Sequence, residues 1–157
     1  MMSNEASDSD AAQIRERLEA IFAPWSPGGG GFDPAVIADF YCNDDDMLAY
    51  DTLMPSTSVM RGWPTFAAHW QAAIGAMRAF SCALEHVDAI AVHGDVAWSA
   101  LILKVDAVAP DGSAIDARQH VTLIWERQGD SWRIRHEHLS GPVRDLARDI
   151  NRPGSGA

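Results

Sequence analysis

In a chain of 157 residues, 12 Lys and Arg stand against 22 Asp and Glu, for a net charge of −10. That field repels phosphate backbones and speaks against nucleic-acid binding, and the one dense basic group (Arg127, Arg133, Arg135) is interleaved with Glu126, Asp130 and Glu137. Hydrophobic residues make up 47%, enough for the core of one domain, and no apolar run reaches the roughly 20 residues of a membrane helix.

The first residues, MMSNEASDSDAAQ, are acidic and polar, the reverse of a secretory signal, so a cytoplasmic location is expected. Residues 1–8 are expected to lack fixed structure. Asp10 and Gln13 have capping-box spacing, and Ile14, Leu18, Ile21, Phe22 and Trp25 form one helical stripe. Pro24 and the run SPGGGG end that helix in a plain linker. No strand precedes the glycines and no Lys-Ser/Thr follows them, so they do not form a phosphate loop. Asp33-Pro34 then caps and opens a short helix with Ile37, Phe40 and Tyr41 on its buried side. The run Asp44–Asp46 reads as a solvated turn, since adjacent carboxylates diverge.

MLAYD (47–51) reads as a first strand and 57–60 as a second. Pro64 opens a third helix whose face carries Phe66, Trp70, Ile74 and Met77. From Ala79 the period becomes that of a sheet. Segments 79–91, 96–109, 115–127 and 132–140 are separated by His93-Gly94-Asp95, Pro110-Asp111-Gly112 and Gln128-Gly129-Asp130, three hairpin turns. Helices ahead of an antiparallel meander define an α+β fold, with one domain over 9–142 and a tail over 143–157 expected to be partly disordered. Cys42 and Cys82 are expected as buried thiols, and no Cys or His spacing matches a zinc site.

The last hairpin, HVTLIWERQGDSWRIRHEHLSGP (120–142), carries a resemblance. Its tokens are Trp-x-Arg, a glycine turn, Trp-x-Ile, His-x-His and Ser-Gly-Pro. With AYDTLMPSTSVMRGWPTFAAHW (49–70) it resembles the SnoaL-like proteins of the nuclear-transport-factor-2-like superfamily. It is especially similar to the branch holding the calcium/calmodulin-dependent protein kinase II association domain. The resemblance implies a cone-shaped α+β barrel: three N-terminal helices on a strongly bent, mostly antiparallel sheet whose concave face makes a pocket. It also implies a homodimer through the convex face. The superfamily spans enzymes, adaptors and assembly domains, so the fold does not choose the function.

Asp51 is the first candidate for catalysis. It ends an apolar strand where the resemblance places a pocket carboxylate acting as general base, and an apolar cavity would raise its pKa. The plainer reading makes it a cap for the turn at Leu53-Met54-Pro55. His136 and His138 share one strand face with Trp132 and Ile134, which predicts an inward pair fit for proton transfer, unless a bulge reverses the faces. The plainer reading has each fixing the pocket wall. A metal would need a third ligand that the spacing does not offer, so neither metal nor cofactor is expected. Trp63, His69, Trp70, Trp98, Gln119, Leu123 and Trp125 are the expected ligand-lining residues, with Tyr50 and Arg118 as weaker ones.

Two departures from the resemblance bear on chemistry. The steroid-isomerase pattern has a Tyr on the first helix and an acid on a late strand. Here that helix has no Tyr and Val121–Trp125 no acid. Where the kinase association domain has pocket arginines, this chain has Leu123 and Leu139, which disfavours an anionic ligand and ring assembly. Two functions remain in view: a cofactor-independent isomerase, lyase or hydrolase acting on a small apolar or aromatic metabolite, and a non-catalytic ligand-binding or dimerisation module.

Overall fold

The computed structural model describes residues 2–28, 31–51 and 59–141. Helix α1 (Met2–Phe22) runs into a 3-10 turn at Ala23–Trp25. It is continuous from Met2, so Asp10 sits inside the helix instead of capping it, and the segment expected to lack structure is helical from its second residue. The carboxylate of Asp10 accepts instead from Arg127 at 2.5 Å and from the Trp132 indole at 3.4 Å. The predicted stripe is as read: Ile14, Leu18 and Ile21 are fully buried, with Phe22 and Trp25 close behind.

Helix α2 (Pro34–Ile37) opens on Asp33, whose side chain accepts from the Ala35 amide at 2.9 Å. Strands β1 (Leu48–Asp51) and β2 (Val59–Arg61) precede helix α3 (Trp63–Ala76). The expected second strand began at 57, and residues 57 and 58 lie outside the described ones, as do the turn at 53–55 and the tail. A long meander follows: β3 (Ala79–His93), β4 (Val96–Val108), β5 (Ala114–Gln128) and β6 (Ser131–Ser140). Gly94, Gly112 and Gly129 have φ of 65°, 90° and 63° at its three turns, the left-handed backbone that such tight links require.

All six strands join one sheet in the order β2-β1-β6-β5-β4-β3. The meander pairs antiparallel, β1 lies parallel to β6, and β2 closes antiparallel on β1. The sheet is open, with β2 and β3 as its edges, which corrects the expected barrel. Closure would require those two strands to pair, and the whole width of the sheet separates them. Alternation along β5 buries Gln119, Val121, Leu123 and Trp125 on the face toward the helices and exposes His120 and Thr122 on the other, the register read from the sequence. Trp25 joins the layers, its ring 6.0 Å from Trp70 and 6.4 Å from Phe80.

Candidate functional site

One residue in β6 decides which side chains enter the interior. From the Gly129 turn, Trp132 and Ile134 point inward and are fully buried. Ile134 lies opposite Trp125 and His136 opposite Ile124, so Arg135 has no counterpart and forms a bulge. Beyond it the inward series resumes at Glu137 and Leu139, both buried. A single extra residue in a strand reverses every later side chain. Arg135 is held in the bulge from outside, by Glu126 at 2.7 Å and Asp44 at 2.5 Å. Both contacts keep those carboxylates below their ordinary range.

His136 and His138 therefore lie on the outer face, and the expectation that they line the pocket is corrected. The Nδ1–H of His136 donates to the Leu48 carbonyl at 2.9 Å, and Tyr50 sets its ring edge-on against both imidazoles. Burial lowers the His136 pKa, with His138 adding to the effect and the Leu48 bond opposing it. Trp98 is also on the outer face, 41% exposed, opposite Ile124. Trp63 stacks on Tyr41 and Phe66. Leu123 and Trp125 do point inward, but into solid core: both are fully buried, and the Trp125 indole donates to Ser99 Oγ at 2.9 Å. None of these four, Trp98, Trp63, Leu123 and Trp125, borders the two inner hollows lined by Gln119 and Trp70. Arg118 pairs on the surface with Glu85 at 2.7 Å.

Gln119 and Trp70 do line a cavity. Between α3, Phe80 and the inner sheet face lies a hollow of 120 Å³, walled by Trp70, Ile74, Met77, Val105, Ile115 and Gln119 among others. It adjoins a tighter hollow of 20 Å³ that shares Trp70, Phe80, Val105 and Gln119 and is bordered further in by Tyr41, Cys82, Glu137 and Leu139. The smaller one holds about one water, while the larger approaches the roughly 150 Å³ of an apolar cavity that takes a benzene ring. A wider groove of 540 Å³ between α1 and β3 is open to solvent and bordered by Arg15, Glu19, Glu85 and His86. It has no part in the acidic cluster described next.

Glu137 is the side chain the sequence reading missed. It is 5% exposed, and its Oε2 accepts from the Tyr41 hydroxyl at 2.7 Å. Burial raises its pKa from 4.5 to about 7; the nearby Asp51 pushes it the same way and the Tyr41 bond opposes. Tyr41 itself is pushed well above its ordinary range, by burial and by Glu137. Asp51, 1% exposed, lies opposite Leu139 in the parallel β1–β6 pair, while Glu137 lies opposite Ala49. The two carboxyl groups are thus diagonal neighbours on the inner face. His69, on α3, places Nε2 3.8 Å from Asp51 Oδ2, too far for a hydrogen bond, and that nitrogen finds no hydrogen-bond partner among the described residues.

Buried carboxyl groups with separated environments are equipped for acid–base work. The thiols are not nucleophiles: burial raises Cys42 to about 11 and Cys82 to about 12, as expected of cysteines acting as small hydrophobes. Among the described residues no three His, Cys, Asp or Glu converge as a metal cage would require. The signals for Glu137 were faint. One was the change of phase of the apolar residues, from Trp132 and Ile134 to Leu139, which puts Glu137 on the side of Leu139; the other was an Arg one residue after Ile134 whose partners Asp44 and Glu126 lie far off in sequence or on the neighbouring strand.

A SnoaL-like domain family model matches residues 37–144. No curated protein matches the sequence. Among solved structures, a nuclear-transport-factor-2-like superfamily protein from Salmonella enterica has TM-score 0.68 at 19% identity, covering 99% of this chain and 99% of its own. A protein from Streptomyces avermitilis, provisionally designated a dehydratase of that family, has TM-score 0.67 at 16% identity, covering 87% and 99%. One from Xanthomonas campestris, provisionally designated a calcium/calmodulin-dependent protein kinase II association domain, has TM-score 0.60 at 15% identity, covering 85% and 86%. Identities this low speak to the fold alone.

Proposed function

The chain belongs to the SnoaL-like domain family, and from that premise we propose that it takes a small apolar or aromatic molecule into the cavity beneath α3 and performs cofactor-independent acid–base chemistry on it. The observation that carries this reading is the pair of buried carboxyl groups on the inner sheet face: Glu137, which borders the hollow where the cavity narrows, and its diagonal neighbour Asp51. In the proposed step Asp51 takes a proton from a carbon beside a carbonyl. Glu137, in its protonated form, donates a hydrogen bond to the carbonyl oxygen as charge develops there. Where the substrate carries a double bond β,γ to that carbonyl, returning the proton to the γ carbon moves the double bond into conjugation and completes an isomerisation.

A second reading, a non-catalytic binding module, is favoured by the size of the inner hollow, which admits little more than a head group beside Glu137. We also assign the outer sheet face to a second copy of the chain. Trp98, Ile124 and Tyr50 are exposed there, with His136 between the last two.

The test begins with native mass spectrometry of gently purified protein and identification of any retained molecule after denaturation. Small cyclic ketones are then followed by NMR for deuterium uptake from solvent. The enzyme reading expects uptake that falls about a hundredfold or more in Asp51→Asn, in keeping with loss of a general base. Uptake at the same rate in wild type and variant would refute it. Saturable binding without uptake would favour the binding module.

A further inference from the structure

Gln119 is 2% exposed, sits on the inner face of β5 opposite Leu103, and borders both hollows. Its carboxamide makes no hydrogen bond among the described residues, although an amide offers two N–H donors and an acceptor oxygen. Buried polar groups are almost always paired, and one left unpaired costs stability unless something else satisfies it. The other polar groups of the lining are the indole N–H groups of Trp25 and Trp70, which find no hydrogen-bond partner among the described residues, and, at the inner end, Glu137, whose second carboxyl oxygen stays clear of the Tyr41 bond. Among the described residues no Lys, Arg or His borders either hollow, and the ionisable neighbours are Tyr41, Cys82 and Glu137.

We infer that Gln119 is the specificity-determining group of this cavity. It reads the single uncharged hydrogen-bonding head, a hydroxyl or carbonyl, of a ring-sized molecule whose apolar body lies against Trp70, Ile74 and Ile115. The inference rests on the cavity being a ligand site, as proposed above, and adds the class of ligand. The volume of 120 Å³ limits the body to about one ring. The junction of the two hollows sets the head at Gln119, beside the water-sized inner hollow that ends at Glu137. An anionic head is disfavoured twice, because no cation among the described residues faces it and a carboxyl group stands behind it. A site built around a hydrogen bond rejects the analogue that lacks the polar group, since the buried amide is then left unsatisfied.

Three one-ring probes separate the possibilities: phenol, toluene and benzoate, titrated by NMR at pH 8 against the full chain and against Gln119→Met. The expected result is phenol bound about tenfold or more tighter than benzoate, and tighter than toluene. The variant should shrink the phenol-to-toluene preference by about tenfold, the worth of one buried hydrogen bond. A purely structural glutamine would weaken both neutral probes alike and leave their ratio unmoved. Toluene bound as well as phenol by the wild type, or an unchanged ratio in the variant, overturns the role of Gln119 and leaves the cavity reading standing. Benzoate bound as well as phenol overturns the neutral-ligand class. Should the variant fail to fold, the wild-type ranking decides alone. Wild type that takes up none of the three overturns both the inference and the cavity reading beneath it.

Discussion

Replacing Glu137 by glutamine should remove a pH dependence of stability that the fold itself creates. The carboxyl is raised from 4.5 to about 7 in the folded chain. A group whose folded pKa lies above its unfolded one contributes stability that is complete below the unfolded value and is lost as pH rises through the folded value. The window is therefore pH 4.5 to 7. At about 1.4 kcal/mol per pH unit, the wild type gives up roughly 3 kcal/mol across it, some 2 to 3 kcal/mol of which falls between pH 5 and 8. Glutamine is nearly isosteric, can still accept from the Tyr41 hydroxyl, and does not titrate.

The variant should thus gain on wild type by about 2 to 3 kcal/mol between pH 5 and 8, or roughly 5–10 °C in melting temperature for a chain of this size. Urea unfolding followed by tryptophan fluorescence at the two pH values reads this directly. Titrating groups that do not interact with Glu137 are common to both proteins and cancel in the difference. A wild-type-minus-variant difference that is flat from pH 5 to 8 would refute the burial argument. In Asp51→Asn the same transition should move to lower pH, because the charge of Asp51 is one cause of the shift.

Three further outcomes follow from the face assignments. The double variant His136→Ala/His138→Ala should leave cavity binding of phenol within about twofold of wild type, since both side chains lie outside; a tenfold loss by NMR titration would place them back in the pocket. Ile124→Asp, a charge set in the exposed stripe beside Trp98, should halve the mass seen by sedimentation equilibrium at micromolar concentration, and an unchanged mass would remove that face as the dimer contact. Ser99→Ala should cost about 1–3 kcal/mol in urea unfolding by leaving the buried Trp125 indole N–H without an acceptor; a neutral change would show that water or a shifted neighbour satisfies it.

Local patterns were sufficient for most of the fold. The α1 stripe, the Asp33 cap, the α3 face and the three glycine turns depend on neighbours within a few residues, so spacing alone reveals them. Alternation along β5 placed Gln119 inside, whereas the inward reading of Asp51 came from the resemblance, with a turn-capping role open beside it. The start of α1 was legible only up to Asp10, because that residue serves a partner, Arg127, on a distant strand. The parallel β1–β6 pairing, which sets Asp51 beside Glu137, joins residues more than eighty positions apart and leaves no periodic mark.

The decisive miss was the bulge at Arg135. Strict alternation through Trp132, Ile134, His136 and His138 is a correct deduction from an unbroken strand. Whether a strand is unbroken depends on its partners, here Asp44 and Glu126, which draw the arginine out of register. The residue types available for chemistry were thus determined by the sequence itself. Which of two adjacent residues, His136 or Glu137, enters the dry interior was decided only by tertiary contacts, because one inserted residue reverses a period of two.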